Sequence, residues 1–343
     1  MNKLQAIYRK DRHISRLVIM IVAWMIFMAI TRFSKFYTVI NFTTMASQFP
    51  EFGIMALGGM LCMITGGIDL SSVGVANVTS ITMGMFMKTQ MVEGSINVFT
   101  MIAAFAMAIC IGLVVGAING VLISKIKIPP ILTTLGMNQL VTGVSMVITG
   151  GNAVSDLPMN YAETINQKLL KVIPGKRGVM QGVLPVQLIF FVVIALIIWF
   201  LLARTSFGKK IYMIGTNENV ARFSGVKVDR MLIKTYAISG VCAAIGGMIM
   251  LANYNSARSD YGSVYTLQCI LIVVLGGVDP KGGRGKISGV LLAIILLRLL
   301  ETGLNRFPQI SSYYINLIYG AVLLLVMVLN YFVEHPITRR KAA

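Results

Sequence analysis

Histidine is nearly absent from the 343-residue chain. The two present, His13 and His335, lie in opposite terminal tails, so neither an HExxH helix nor a His–carboxylate cluster can form from sequence neighbours. The four cysteines, Cys62, Cys110, Cys242 and Cys269, all sit inside apolar runs without CxxC spacing, which excludes a disulfide framework and a zinc site. They read as small packing residues. A nucleotide-binding loop is also missing. The segment GGRGKIS at 282–288 fails because Ile287 follows Lys286 where a hydroxyl is needed for magnesium, and Pro280 stands where the first glycine belongs. Any nucleotide hydrolysis would have to be performed by another chain. Charge is scarce too: Asp, Glu, Lys and Arg make up 12% of residues against 56% hydrophobic, a balance a soluble domain of this size could not solvate.

What is present is apolar length. Runs of the ~20 residues needed to cross a bilayer recur along the chain, continuous rather than alternating, which favours helices over a barrel. The expected spans are Leu17–Thr31, then about 43–67, 70–88, 97–123, 128–150, 185–203, 231–253, 263–278, 287–304 and 314–333. The fold class is therefore an all-α, polytopic membrane protein of about ten transmembrane helices. Polar stretches interrupt them at 151–183 and 204–230.

The net charge of +18 does not indicate a nucleic-acid partner, because the basic residues sit in short loops between apolar runs. With the N-terminus inside, 20 of the 30 basic residues fall on the cytoplasmic side, including those of 204–230. Both termini are then cytoplasmic and 151–183 is extracytoplasmic. Arg32, Lys35, Arg258 and Arg306 break the charge rule on the outer face. They are candidates for pairing with acidic groups of a partner, or for contact with lipid headgroups.

Within 204–230, Asn217 can cap a short helix, NENVARFS, with Val220 and Phe223 on one face and Gly225 at its end. Gly112, Gly116 and Gly120 form a small-residue ridge suited to close helix packing. GGID at 66–69 and GGVD at 276–279 hint at a repeat or at shared turn chemistry. Asp69 reads first as a turn or cap residue, with a coupling-ion or substrate site as the alternative. Glu301, three residues after Arg298, reads first as half of a structural pair, with a substrate gate as the alternative. The amides Asn77, Asn119, Asn138, Gln139, Asn253 and Gln268 could line a polar pathway or bond between helices.

Five stretches, taken together and in order, resemble one family. They are GGIDLSSVGVANV at 66–78, GAINGVLISKIKIPPILTTLGM at 116–137, ARTSFGKKIYMIGTNENVARFSGV at 203–226, VVLGGVDPKGGRGKISGVLLA at 273–293 and TGLNRFPQISSYY at 302–314. The resemblance is to the permease subunits of bacterial ABC importers for simple sugars, the ribose-permease type that includes autoinducer-2 importers. It implies a single permease domain over 1–343 of vitamin-B12-importer-like (type II) architecture, in the bacterial inner membrane. Its implied partners are a cytoplasmic ABC ATPase that binds ATP and Mg, a periplasmic sugar-binding protein, a second permease chain and membrane lipid. The chain itself carries no cofactor and no catalytic site. The resemblance further implies that 204–230 is the ATPase-coupling loop, with Gly215, Asn217, Glu218, Arg222, Phe223 and Gly225 at its centre. Asp279, Glu301 and Thr142 depart from the family pattern, so the resemblance does not carry a particular sugar. The rival reading is an ion-gradient-driven secondary transporter using Asp69 and Glu301.

Overall fold

The computed structural model describes residues 12–174 and 180–309, together with the isolated positions 314, 317, 320, 321 and 324. Its long helices are α1 (Arg12–Phe36), α2 (Val39–Ile64), α3 (Ser72–Thr89), α4 (Val98–Ser124) and α5 (Pro130–Thr149). After a short α6 (Met159–Asn166) and a hairpin come α7 (Val186–Arg204), α8 (Ser206–Thr216), α9 (Glu218–Phe223), α10 (Val228–Tyr254), α11 (Tyr265–Leu275) and α12 (Ile287–Leu304). The expected tenth span lies mostly outside the described residues.

Seven of these helices are long and apolar enough to cross a membrane: α1, α2, α4, α5, α7, α10 and α12. Helix α11 is apolar but short. The spans expected at 70–88 and 263–278 are thus helical without meeting that criterion. Helix α3 is rich in hydroxyls, yet it is buried, and it satisfies them itself. Thr79 and Thr82 donate to the carbonyls of Val75 and Val78, four residues back. The span expected at Leu17–Thr31 ends where α1 breaks, since Arg32 has non-helical torsions (φ −143°, ψ 38°).

Local chemistry sets the helix limits. Thr38 caps α2 and Asn97 caps α4, each accepting a backbone amide three residues on. Pro130 opens α5, and Gly150 closes it with φ +60°. The stretch 151–183 departs from the all-α expectation: β1 (Lys168–Pro174) and β2 (Met180–Pro185) pair antiparallel, with the register shifting between Lys171 and Ile173. A second, isolated bridge joins Val154 to Ala257. Reading the stretch only as polar missed its short β-compatible runs.

Helix α10 is the hub. Of its most apolar 18-residue window 83% is buried, against 22% for α4, so α10 is central and α4 peripheral. Small residues let the neighbours approach it. The ridge Gly112–Gly116–Gly120 of α4 lies against the α10 backbone, where a Cβ on Gly116 would stand 2.3 Å from the Tyr236 carbonyl oxygen. Gly58 of α2 meets Ser239 and Cys242, and Gly247 meets the Ala76 carbonyl of α3. The glycine ridge is therefore used inside the chain.

Candidate functional site

Three turns converge at one end of the bundle. Gly283 donates its amide to the Ile64 carbonyl at 2.8 Å. Gly282 packs on Gly66 and on Gly215, near the end of α8. A Cβ on Gly215 would stand 1.9 Å from the Ile64 oxygen and 2.3 Å from the Gly283 nitrogen, both backbone atoms. The two look-alike segments share turn chemistry: Asp69 accepts the Ser71 amide and Asp279 the Lys281 amide, each at 2.9 Å. Asp69 also accepts the hydroxyls of Ser71 and Ser239, both at 2.6 Å, which ties the turn to α10. That is the structural role expected first for Asp69. Tyr212 fastens α8 to the 281–285 turn by donating to the Gly285 carbonyl at 2.7 Å, and burial pushes its phenol pKa up.

Helix α9 stands beyond this junction. Asn217 accepts the Val220 amide at 3.1 Å, and Gly225 ends the helix with φ +78°. The capped helix is the one expected from sequence. Its outer face carries Val220, 57% exposed, and Phe223, 93% exposed. Arg222, by contrast, is ion-paired at the surface, to Glu218 at 3.0 Å and Asp229 at 2.5 Å. Lys127, from the turn between α4 and α5, reaches the same Glu218 at 3.0 Å and Asp229 at 3.9 Å. Burial alone would raise the Glu218 carboxyl pKa, but the hydrogen bonds from Lys127 and Arg222 outweigh it and hold the pKa below the ordinary value. Lys127 itself has φ +66°, a conformation disfavoured for a side chain of its kind. Sequence spacing gave no sign of this partner, which lies 91 residues from Glu218.

The six amides expected along a pathway are dispersed. Asn77 donates to the carbonyls of Ser259 and Tyr261, at 2.9 Å each, and so anchors the loop after α10. Asn119 donates to the Ser71 hydroxyl, and Asn138 accepts the Gly74 amide. Gln139 is exposed on α5, and Gln268 is buried on α11. Only Asn253 lines a sizeable cavity among those described.

That cavity, of ≈ 480 Å³, lies at the opposite end of the bundle, where Asn166 and Lys168 meet the ends of α2, α7, α10 and α12. Its walls include Glu51, Gln187, Tyr265, Arg298 and Glu301. Glu51 is 3% exposed and accepts the Asn253 amide at 2.9 Å and the Tyr265 hydroxyl. Arg298 pairs with Glu301 at 2.8 Å and donates to Gln48. The expected Arg298–Glu301 pair is present, and it faces a polar cavity. Glu51 and Gln187 were missed from sequence, although an acidic residue directly after Pro50 inside an apolar run is a visible signal.

The basic residues expected on the outer face mostly have intrachain contacts. Arg32 lies over the Phe307 ring at 4.9 Å, Arg258 pairs with Asp260 at 3.1 Å, and Arg306 donates to Asn41. Lys35 is exposed.

Residues 41–327 match the family described as branched-chain amino acid transport system / permease component. The ribose import permease protein of Escherichia coli strain K12 is 32% identical over 313 residues, covering 90% of this chain and 92% of its own. That of Bacillus subtilis strain 168 is 34% identical over 297 residues, 86% of each chain. An autoinducer 2 import system permease protein of Yersinia enterocolitica is 33% identical over 291 residues, 82% of this chain and 81% of its own. No solved structure matches the chain.

Proposed function

The chain belongs to the branched-chain amino acid transport system / permease component family, and from that premise we propose that it is the membrane subunit of an ATP-driven importer for a simple sugar or sugar-like polar solute. The sugar class follows the names of the relatives, ribose and autoinducer 2 import permeases that align along most of their length. In this reading the chain is a multi-pass inner-membrane protein of ten helices and type II architecture, both termini cytoplasmic. It pairs with a second permease chain. ATP and Mg bind on a separate ATPase, and a periplasmic binding protein delivers the solute at the opposite face, where Lys35 offers an exposed charge.

The observation that carries the coupling role is Phe223, an aromatic side chain 93% exposed at the tip of a capped helix rooted on a junction of packed backbones. An exposed ring on a rigid support is what a partner's cleft can grip and push. Arg222, exposed and ion-paired within the chain, helps hold α9 in place in this reading, leaving Val220 and Phe223 to face the ATPase. Against the rival gradient-driven mechanism, the Asp69 oxygens already serve as acceptors for Ser71 and Ser239.

The test is reconstitution in proteoliposomes with the ATPase and the binding protein, following uptake of labelled pentoses and hexoses. Uptake should require ATP and sugar-loaded binding protein. Uptake that follows an imposed proton or sodium gradient without the ATPase would replace this reading with secondary transport.

A further inference from the structure

We propose that the ≈ 480 Å³ cavity beside Glu51 is a binding subsite for a neutral polyhydroxylated solute, a monosaccharide or polyol, held inside a single protomer. The inference rests on the importer reading above and adds a site to it. The volume lies within the ~300–1,000 Å³ of small-molecule sites. Its lining is polar rather than apolar, unlike the dry, apolar lining of a packing defect.

Charge decides the class of ligand. The cavity is lined by two acidic residues, Glu51 and Glu301, and two basic ones, Arg298 and Lys168. A bare cation would meet the guanidinium and the ammonium, and an anion would meet the carboxylates. A neutral molecule carrying several hydroxyls suits both.

The hydrogen-bond inventory points the same way. Gln187 is 1% exposed and spends its amide nitrogen on Asn253, at 3.3 Å, and on Asn166, while its Oε1 has no partner. Arg298 uses both terminal nitrogens, on Glu301 and Gln48, while its Nε has none. Two wall residues, Gln187 and Arg298, thus keep an acceptor and a donor without partners among the described residues, both closed to solvent until the side chains turn toward a ligand. An unmet buried polar group is costly. A hydroxyl both donates and accepts, so a polyol can answer each of them, and Glu51 adds a carboxylate already oriented by Asn253 and Tyr265.

The experiment is saturation-transfer difference NMR on the full chain in lipid nanodiscs, with D-ribose, D-xylose, L-arabinose, D-glucose, D-galactose and glycerol as probes at millimolar concentration, and zwitterionic glycine and anionic acetate as charged controls. At least one sugar or polyol should give transfer, the charged controls should not, and Glu51→Gln and Gln187→Leu should each weaken apparent affinity about tenfold or more. Ser47→Leu keeps the Glu51 network and reduces the cavity from the α2 wall. It should abolish the signal, and it serves where a polar variant does not insert. No transfer from any neutral probe, or transfer unaffected by Ser47→Leu, would overturn the subsite. ATP-driven uptake by the unmutated complex separates the two readings: uptake without a bound-sugar signal refutes the subsite alone, whereas lost uptake refutes the importer assignment.

Discussion

Replacing Gly215 with alanine adds one methyl group at the point where α8 meets the rest of the molecule. The new Cβ would stand 1.9 Å from the Ile64 oxygen, whereas Cβ contacts below 3.0 Å essentially never occur, so the α8 backbone must retreat by about 1.1 Å. Neither obstructing atom can rotate away. The Ile64 oxygen is held in the α2 terminus and is bonded to the Gly283 amide, which is itself 2.3 Å from the added carbon. Overpacking of this kind costs ~1–3 kcal/mol. Because the strain falls on the link between α8 and the bundle, a similar free energy is lost from coupling, a factor of ~5–150. ATP-driven uptake should fall by that factor at equal membrane abundance, while ATP hydrolysis by the complex becomes less responsive to sugar-loaded binding protein. Gly136→Ala is the control: it lies in helix α5 with no atom within 4 Å of its added Cβ, and it should behave as wild type. Wild-type uptake by Gly215→Ala at normal abundance would refute the reasoning, since the methyl group cannot be accommodated without moving backbone.

Phe223→Asp should leave insertion intact, because the side chain is 93% exposed, and should abolish co-purification with the ATPase; retained co-purification and uptake would remove Phe223 from the interface. Lys127→Glu brings a third carboxylate to Glu218 and Asp229 and should lower uptake several-fold, as loss of exposed pairs worth ~0.2–1 kcal/mol each permits. Glu218→Lys in the same chain should restore much of it, and failure of the double variant to recover would show that the pairing is not what matters. The depressed Glu218 pKa fixes the sign of a pH effect: its stabilisation of α9 is present above the unfolded value of ~4.3 and is lost as pH falls through the lower folded value. Amide exchange in 217–225 should therefore be constant, after correction for intrinsic rates, from neutral pH to about 5, and protection should drop only once pH falls below the unfolded carboxyl value. Loss of protection between pH 7 and 6 would mean that another group controls the helix.

Sequence revealed what depends on local chemistry. Apolar runs located the helices to within a few residues, as at 287–304 for α12 and 97–123 for α4, because membrane depth enforces length and hydropathy together. The Asn217 cap and the Gly225 stop of α9 were legible for the same reason: both act within four residues of themselves. The hairpin in 151–183 was not legible, since strand pairing is a non-local choice and its runs are short. Nor was the fate of Arg222. A basic residue in a cytoplasmic loop looks available to a partner, and only the fold brings Asp229 and the Lys127 turn beside its helix. The amides are dispersed because a residue type says that a bond will be made, while the fold decides with whom. Asn77 serves a loop 182 residues away.

The junction at Gly215 and the cavity at Glu51 share a helix. From Ile64, whose carbonyl receives Gly283, to Glu51 is thirteen residues of α2, or about 20 Å at ~1.5 Å per residue. Helix α2 does not move alone, because Gly58 leaves no slack against Ser239, and Gly246 lies against the Glu51 carbonyl, so α2 and α10 are locked at two levels. The same two helices supply Glu51 and Asn253 to the cavity. In the proposed coupling, a push on α8 from an ATPase would reach the far end as a displacement of this pair, not as a relay of side-chain changes. Pro50 gives that displacement a place to act. It removes the amide that would bond to the Ala46 carbonyl, so the outer part of α2, with Thr44 and Gln48 on the cavity wall, can bend away from the part fixed to α10. A change in the cavity's shape would then need bending at one proline-bearing turn while the packed glycine contacts stay intact, which is a smaller rearrangement than repacking the bundle.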